Sequence, residues 1–512
     1  MSSIGNRRWL ALAATTLAVL AVGLDVTVLS VALPTLAGAL KASESDLQWF
    51  SSGYALALAA GMLPAGVLGD RFGRKRILIG ALVVFGAGSI VCAYATNAGV
   101  FIAGRVLLGI AGAAVVVMAL SVLAVLFTEE ERPRAVGIWA AANFVALPVG
   151  PIFGGWLLTN FWWGWIFLMN VPVAALAIIA VVALVPESRS PARPAIDPVG
   201  ILLSSGGLAG VTYGLIELGR NGWTNPPSLG VAIGGVAVIA GFFVWERYLT
   251  DRPGGRPLID LSLFRSRGFT WGMILAALGG LALIGMVFTL PQYYQGVIGL
   301  DPEGSGVRLL PIIGGLILGA VPADRVADRV GGKITVATGF AITVAGLLLG
   351  ATTTLDSGTW FQVTWLAIVG FGMGVGFATA ASAALKQVPS DKSGVASALL
   401  QAMQKVGAPF GSAILGSVLN SVYQSGLDLA GLPAGVAATV RLSVFAGVAV
   451  ARTLHSSALL ESVRHAFVSG MDAALVVSAG FAAVAVVLAL IFLPGRTPAA
   501  ETADKRALQE VA

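Results

Sequence analysis

Charged residues are scarce in this sequence. Lys, Arg, Asp and Glu make up 11% of its 512 residues, whereas soluble domains carry about 25%. Hydrophobic residues make up 57%, which excludes an ordinary soluble globule and indicates a chain that crosses the membrane many times. The net charge of +6 is spread over short connections, so no nucleic-acid partner is expected.

Cysteine and histidine are nearly absent too. The single cysteine, Cys92, excludes an internal disulfide and a cysteine-based metal cluster. We expect the two histidines, His455 and His465, to be surface residues and not metal ligands. The sequence also contains no phosphate-binding loop and no nucleophile with a neighbouring base. It therefore predicts a protein that is not an enzyme, with no cofactor and no metal.

Long apolar runs are abundant. Fourteen of them are long enough to cross a hydrocarbon core about 30 Å thick, which takes about 20 helical residues. They lie near residues 9–33, 47–68, 77–96, 99–126, 134–158, 164–186, 198–217, 228–248, 268–291, 306–323, 333–353, 360–385, 393–421 and 472–494. Backbone groups in lipid must be paired internally, and no barrel-like alternation occurs, so the prediction is an all-α polytopic membrane protein.

The positions of the cations predict the orientation of the chain. With the N-terminus inside, the inner connections and tails contain 23 of the 31 Lys and Arg residues, the outer ones 6 and the membrane 2. Cytoplasmic loops are the ones enriched in positive charge. Both termini are therefore expected in the cytoplasm.

The stretch Gly66–Arg76, GVLGDRFGRKR, lies between the second and third runs. Its cations predict a cytoplasmic loop, and its glycines allow a tight turn. A weaker copy follows at Ala327–Lys333, and three pairs share one spacing of 258 residues: Asp70 and Asp328, Gly73 and Gly331, and Lys75 and Lys333. A second match, of Val149–Gly154 with Val406–Gly411, has a spacing of 257. The chain therefore resembles a duplication, with helices 1 to 6 repeated as helices 9 to 14.

This duplication predicts the domain organisation. Residues 1–190 would form an N-terminal six-helix bundle, 191–260 a two-helix insert, and 261–495 a C-terminal six-helix bundle. A long exterior loop is expected at about 422–470, and 496–512 would be a cytoplasmic tail. Two parallel six-helix halves around a central path form a transporter plan.

Two ionisable residues lie well inside predicted helices. A charge there costs about 2.5–3.5 kcal/mol on insertion scales, which makes each a functional candidate. Asp25 lies ~24 Å along helix 1 from the inside, and Arg105 ~9 Å along helix 4 from the outside, at similar depth. We predict that they share the central cavity, where Asp25 takes a proton from outside and weakens its hold on Arg105. The alternative is a static pair that only orders two helices.

Further candidates come from polar and small residues. The loop residues Gly66, Asp70, Arg71, Gly73, Arg74 and Lys75 are predicted to latch a cytoplasmic gate. Gly150, Pro151, Gly154 and Gly155 in helix 5 combine a helix-bending proline with close packing, which predicts a hinged seam between the halves. The substrate cavity is assigned Lys405, Gln401, Gln404, Asn143, Ser52 and Glu217. A structural pairing of Lys405 with the two glutamines, and an interfacial role for Glu217, remain alternatives.

These motifs resemble the major facilitator superfamily, and specifically its fourteen-helix drug:proton antiporters, which are similar to bacterial multidrug and antiseptic efflux pumps. Gly66–Arg76 matches the family's loop 2–3 motif, and Leu24–Pro34 looks like its helix 1 motif, with Ser30 where Asn is usual. Arg105 with Gly109 and Gly112 resembles the helix 4 motif whose arginine is implicated in proton transfer. Gly150–Gly155 resembles the helix 5 antiporter motif. The stretches 257–265 and 290–295 extend the likeness to nearly the whole chain.

The resemblance implies a proton-coupled exporter of hydrophobic drugs or antibiotics that works by alternating access as a monomer. It would lie in the lipid bilayer of a bacterial inner membrane and take small hydrophobic or amphiphilic substrates and protons. A membrane receptor or scaffold on a transporter-like body, or an exporter of one endogenous metabolite or lipid, remains an alternative.

Further positions depart from the family pattern. Leu108 stands where the helix 4 motif usually has Gln, so the polar partner of Arg105 is expected to come from elsewhere. Ser52 in helix 2, and Gln401 and Lys405 in helix 13, stand where cation exporters tend to carry acidic residues. We therefore expect a preference for neutral or anionic substrates over dications.

Overall fold

The computed structural model describes residues 2–127, 131, 135, 149–189, 197–252, 257–258, 261–386 and 393–494. Every regular element in these ranges is helical, which confirms the predicted fold class. The longer helices are α1 Ser2–Leu40, α2 Glu44–Phe72, α3 Arg74–Ala93, α4 Ala98–Leu126, α5 149–160, α6 Asn170–Leu184, α7 Pro198–Asn221, α8 Pro226–Asp251, α9 Arg267–Gln292, α10 Leu310–Val330, α11 Gly332–Gly350, α12 Thr359–Lys386, α13 Ser393–Gly426 and α14 Ser457–Phe492.

The described residues contain 11 helices that are long and apolar enough to cross a membrane, or 12 if the bent helix α2 is one span. The bend in α2 is 47° and separates Glu44–Met62 from Pro64–Phe72. It coincides with Pro64, whose ring removes a backbone donor and clashes with the preceding turn. The chain is a multi-pass membrane protein, and the expected count of fourteen spans stays a prediction.

Several helix ends differ from the ones that hydropathy suggests. Helix α2 begins at Glu44, before the expected 47, because Ser43 and Asp46 form a capping box. Helix α14 begins at Ser457 and not near 472, so much of the expected exterior loop is helical. Two short helices, Ala434–Leu442 and Val444–Thr453, precede it. Hydropathy marks where a helix enters lipid and not where it begins.

The repeated loop motif has the same backbone form in both halves. Gly73 separates α2 from α3 with φ +116°, and Gly331 separates α10 from α11 with φ +96°. Each glycine N–H caps the preceding helix, on Gly69 O at 2.9 Å and on Ala327 O at 2.8 Å. Because side chains disfavour positive φ, the two glycines at the spacing of 258 serve one purpose, the tight reversal between two helices.

The apolar side chains form two main cores. One is built from α1 to α4, α6 and their connections, and the other from α9 to α14. Helices α7 and α8 pack closely on each other, with Gly214 against Ala232 and Gly235 against Val211. Helix α7 also reaches α13, where the Ser417 hydroxyl donates to Leu215 O at 2.9 Å. The division into three domains stays a prediction that this packing supports.

Candidate functional site

An ion pair between α1 and α4 forms the centre of the N-terminal half. Arg105 Nη1 donates to Asp25 Oδ2 at 2.5 Å, and the two side chains are 1% and 0% exposed. Asn170 on α6 donates to Asp25 Oδ1 at 3.2 Å and lies 3.3 Å from Ser89 Oγ on α3. Four helices thus meet at one buried carboxylate, whose negative charge is balanced by the guanidinium and by an amide donor.

Arg105 has two further partners, both on α2. Its Nε donates to Phe50 O at 3.0 Å, and its Cζ lies 4.2 Å from the centre of the Tyr54 ring. Gly109 packs against the backbone of α2 at Tyr54, where a larger residue would separate the helices. Leu108, which replaces the usual Gln, is fully buried. The polar partner that sequence could not locate is therefore the Phe50 carbonyl, with Asn170 reaching the pair through Asp25.

The contacts of the pair come from its own half of the chain, and its place in a central cavity stays a prediction. In the described residues, α2, α3 and α6 surround the two buried side chains. A desolvated ion pair is stable only while both charges are present, because either charge alone would be left buried and uncompensated. Solvent could therefore reach the pair only after a rearrangement of these helices.

The glycines of the helix 5 motif bring α5 onto α1. A Cβ on Gly150 would overlap Thr27, and one on Gly154 would lie 2.6 Å from Val28 Cγ1. Both contacts are within three residues of Asp25. In the second half, Gly407 and Gly411 of α13 similarly meet the backbone of α9. The glycines of the helix 5 motif thus allow a close contact between α5 and α1, next to the Asp25–Arg105 ion pair.

The other side of the same motif touches the C-terminal half. A Cβ on Gly155 would lie 2.7 Å from Glu303 Cα and from Pro302 O, and Gly306 packs against Pro151 O. These partners belong to the short helix Pro302–Arg308. Helix α5 therefore lies between α1 and this short helix, and a hinged seam between the halves stays a prediction.

The loop motif ties four helices of the N-terminal half together. Arg74 donates to Asp70 Oδ1 from Nε at 3.0 Å and from Nη2 at 2.8 Å, and its Nη1 lies 3.4 Å from Ser121 O on α4. Lys75 Nζ donates to Val182 O on α6 at 2.7 Å.

The remaining members of the motif occupy the same end of the half. The side chain of Glu187 lies against Gly73, where a Cβ would be 2.7 Å from its Oε1. Gly66 packs near Val117 of α4. Arg71 is exposed, with its Cζ 5.6 Å from the Phe72 ring. The contacts found for this motif bind its own half, and a latch to the opposite half stays a prediction.

A stripe of three polar residues on α2 joins the two halves at the end expected to be exterior. Glu44, Gln48 and Ser52 follow at intervals of four residues and are 2%, 1% and 0% exposed. Their partners are Gln292 Nε2 on α9 at 3.2 Å, Ser417 Oγ on α13 at 3.4 Å and Ser412 Oγ on α13 at 2.6 Å. We call these six residues the outer seam. Ser52, assigned to the substrate cavity, here lies in a closed helix contact.

The other cavity candidates are only partly described. Glu217 on α7 accepts a hydrogen bond from Asn221 Nδ2 at 2.8 Å, near the outer end of that helix. Lys405, Gln401 and Gln404 lie on α13, but their side chains are outside the described part of the chain. Asn143 also lies outside the described residues. Their role in the cavity stays a prediction.

Sequence reasoning missed two functional candidates. Glu44 lies outside the predicted span 47–68, yet it is buried against Gln292. Asn170 is a single polar residue within the predicted span 164–186 and was not among the predicted site residues. The spacing of Glu44, Gln48 and Ser52 could have been a signal, because polar residues four apart form one face of a helix.

Comparisons with known proteins show the family and the fold. The family model of the Major Facilitator Superfamily matches residues 15–412. The tetracenomycin C resistance and export protein of Streptomyces glaucescens is 33% identical over 96% of this chain and 92% of its own. The multidrug efflux pump LfrA of Mycolicibacterium smegmatis is 31% identical over 93% and 94%.

The fold also matches a solved structure, a bacterial homologue of the human lysosomal transporter Spinster in an inward-facing, unoccupied conformation. The TM-score is 0.65 at 17% identity, over 96% of this chain and 99% of that one. At this identity the likeness concerns the fold alone. The resemblance drawn from the motifs is thereby confirmed, and the chain belongs to the major facilitator superfamily.

Proposed function

We propose that this protein exports hydrophobic drugs or antibiotics in exchange for protons by alternating access. The observation that carries the proposal is the buried Asp25–Arg105 pair at the meeting point of four helices. Two similar proteins, named for tetracenomycin C export and for multidrug efflux, support the direction and the class of substrate. The protein would use the proton gradient with no cofactor and would leave its substrate chemically unchanged.

The proton step follows from the contacts of the pair. A proton on Asp25 removes the charge that holds Arg105 Nη1, while Phe50 O and the Tyr54 ring still hold the guanidinium on α2. Protonation therefore loosens α1 from α4 and leaves α4 attached to α2. Loss of the proton restores the pair, because an unpaired cation is costly inside the membrane.

The packing supplies a route from this step to the other half. Thr27 and Val28 follow Asp25 on α1 and press on Gly150 and Gly154 of α5. The opposite side of α5 rests on the helix Pro302–Arg308. A shift of α1 thus moves the helix that separates it from the C-terminal half. The two-state element would be this contact, and both the proton and the substrate would bias it.

The closed outer seam fits one step of such a cycle. With Ser52 and Ser412 in contact, α2 and α13 are joined at the end expected to be exterior. We propose a multi-pass protein of a bacterial inner membrane with both termini cytoplasmic, which acts as a monomer. In that orientation this structure has its exterior side closed, and substrate would enter from the cytoplasm or the inner leaflet.

A second candidate is export of one endogenous compound. The relative named for tetracenomycin C resistance and export favours it. Substrate breadth separates the two possibilities: a multidrug pump responds to many unrelated compounds, whereas a dedicated exporter responds to one.

Inverted membrane vesicles test the proposal. Vesicles acidified inside by respiration are given neutral, cationic and anionic amphiphiles, and release of luminal protons is followed with a fluorescent weak base. A substrate should release protons from vesicles that contain the protein, and not from vesicles with Asp25→Asn. Release that is equal with both proteins would contradict the assigned role of Asp25.

A further inference from the structure

We propose that Glu44 is a proton-binding gate residue, which carries a proton while the outer seam is closed and loses it when the seam opens. This inference rests on the proposed function for its direction, since it assigns the seam to the exterior side. It adds a second acid, on a different helix from Asp25 and between the two halves. Its proton comes from the exterior solution and returns there, so it sets the gate and is not carried across the membrane.

The position of Glu44 is unusual for a carboxylate. It lies in the first turn of α2, is 2% exposed, and accepts a hydrogen bond from Gln292 Nε2 on α9 at 3.2 Å. In the described part of the chain no cation forms an ion pair with it. Asp25, by contrast, has Arg105. A buried carboxylate with only an amide partner favours its neutral form, because desolvation penalises the charge.

The partner residue points to the same protonation state. Gln292 is fully buried, and its Nε2 also lies 3.3 Å from Phe288 O. Its Oε1 is buried with no hydrogen-bond partner among the described residues. A proton on Glu44 supplies the missing donor, because an acid and a primary amide can each donate to the other. An ionised Glu44 has no proton to give and leaves that oxygen unsatisfied.

No described side chain supplies a compensating charge. The described ionisable side chains on the elements around this end of α2 include Lys41, Asp46, Arg105, Glu217, Tyr293, Tyr294, Arg308 and Tyr423, and the side chain of Arg220 on α7 lies outside the described residues. Of the described cations, Lys41 is exposed, Arg105 is held by Asp25 and Phe50, and Arg308 donates to Gln362 Oε1. Asp46 accepts a hydrogen bond from the Ser43 hydroxyl, and Glu217 accepts one from the Asn221 amide. The neutral acid is therefore the form that suits the closed seam.

Opening would reverse this preference. Glu44 begins the stripe that continues through Gln48 to Ser52, so separating α2 from α9 and α13 admits water to all three residues. A hydrated carboxylate ionises in neutral solution. Protons outside thus favour the closed seam, and their removal favours the open one. In an exchanger, a gate of this kind closes when the exterior is acidic, which is the condition under which the gradient drives export.

Electron–electron distance measurements on the full-length protein test this inference. Cys92, the one cysteine of the chain, is replaced by Ala. Spin labels are placed at Ala39→Cys, near the outer end of α1, and at Ser425→Cys, near the outer end of α13, where both native residues are exposed. The protein is reconstituted in nanodiscs, without substrate or gradient, between about pH 5 and about pH 9. We expect the long-distance population to grow as the pH rises.

Three variants identify the group responsible. Glu44→Gln imitates the neutral acid and should keep the short distance at every pH. Gln292→Met removes the amide and should move the opening to lower pH. Glu461→Gln removes an exposed acid at the outer end of α14 and should behave like the parent. The Asp25→Asn background should retain the response.

The results separate this inference from the proposed function. A parent without any pH response, or a Glu44→Gln variant that responds like the parent, overturns the role of Glu44. A response that disappears with Asp25→Asn and persists with Glu44→Gln overturns it as well. Because no transport is measured, failure of the vesicle assay would contradict proton exchange and leave the distance result to be judged by itself.

Discussion

Asp25 and Arg105, 80 residues apart in sequence, lie 2.5 Å apart in a space closed by α2, α3 and α6. Neither side chain is accessible to solvent. The carboxylate of Asp25 accepts hydrogen bonds from Arg105 and Asn170, and Arg105 also donates to Phe50 O. The pair therefore holds five helices in one arrangement, and we expect removal of either charge to release them.

The first prediction concerns stability. Arg105→Ala leaves Asp25 as an uncompensated buried charge, and breaking a buried pair in this way costs about 3–5 kcal/mol. The double variant Asp25→Asn with Arg105→Gln has no charge left and should be less destabilised than Arg105→Ala alone. Thermal unfolding in detergent measures both. A double variant that loses as much stability as Arg105→Ala, or as much as the two single variants added together, would contradict the coupling of the two residues.

The second prediction concerns the contact between α1 and α5. Gly154→Leu places a side chain where Val28 already lies. Overpacking of this kind costs about 1–3 kcal/mol, which would separate α5 from α1. Substrate-dependent proton release should fall by about tenfold, the equivalent of about 1.4 kcal/mol.

Gly234→Ala on α8 is the matched control, since a Cβ there meets nothing within 4 Å. It should transport like the parent. A fully active Gly154→Leu protein would remove this contact from the coupling route.

The third prediction concerns the turn between α2 and α3. Gly73 has φ +116° and the Glu187 carboxylate against it, so Gly73→Ala should cost about 1–3 kcal/mol. Gly80→Ala on α3 has open space and should be neutral or slightly stabilising, because Ala exceeds Gly in helix propensity by about 1 kcal/mol. Denaturation in detergent compares them, and equal stability of the two variants would argue against backbone strain at Gly73.

The fourth prediction concerns charge selection. If Lys405 faces the substrate path, a cationic substrate at about 4 Å is opposed by about 4 kcal/mol at an effective dielectric constant of about 20. Lys405→Asp should then extend export to ethidium and bisquaternary dications, and Lys405→Gln should have a smaller effect. Resistance of a sensitive host to these compounds is the measurement. Unchanged resistance with Lys405→Asp would place the lysine away from the path.

Much of this architecture could be predicted from the sequence. Long apolar runs locate most helices, because lipid requires internally paired backbone. The match of Gly73 with Gly331 predicted a repeated turn, since glycine is the residue that adopts positive φ most readily. The meeting of Asp25 with Arg105 could be inferred from depth alone, because two opposite charges at one level of a membrane have few other partners.

The outer seam could not be predicted in the same way. Glu44 is charged and follows a turn, so hydropathy places it in water, and only the position of Gln292, 248 residues away, shows that it is buried. The start of α14 was misplaced for a related reason. Glu461, Arg464 and His465 lower its hydropathy, although the helix continues through them. Hydropathy indicates which segments favour water or lipid, whereas the burial of a side chain depends on contacts between segments distant in sequence.

The central claim is that a proton on Asp25 drives export through the Asp25–Arg105 pair. Purified protein in liposomes, given an imposed pH gradient and a substrate found with the vesicle panel, tests it most directly. The parent should move substrate against its concentration gradient, and Asp25→Asn should only let it equilibrate, with substrate binding retained. Gradient-driven accumulation by Asp25→Asn at the parent's level would contradict the account.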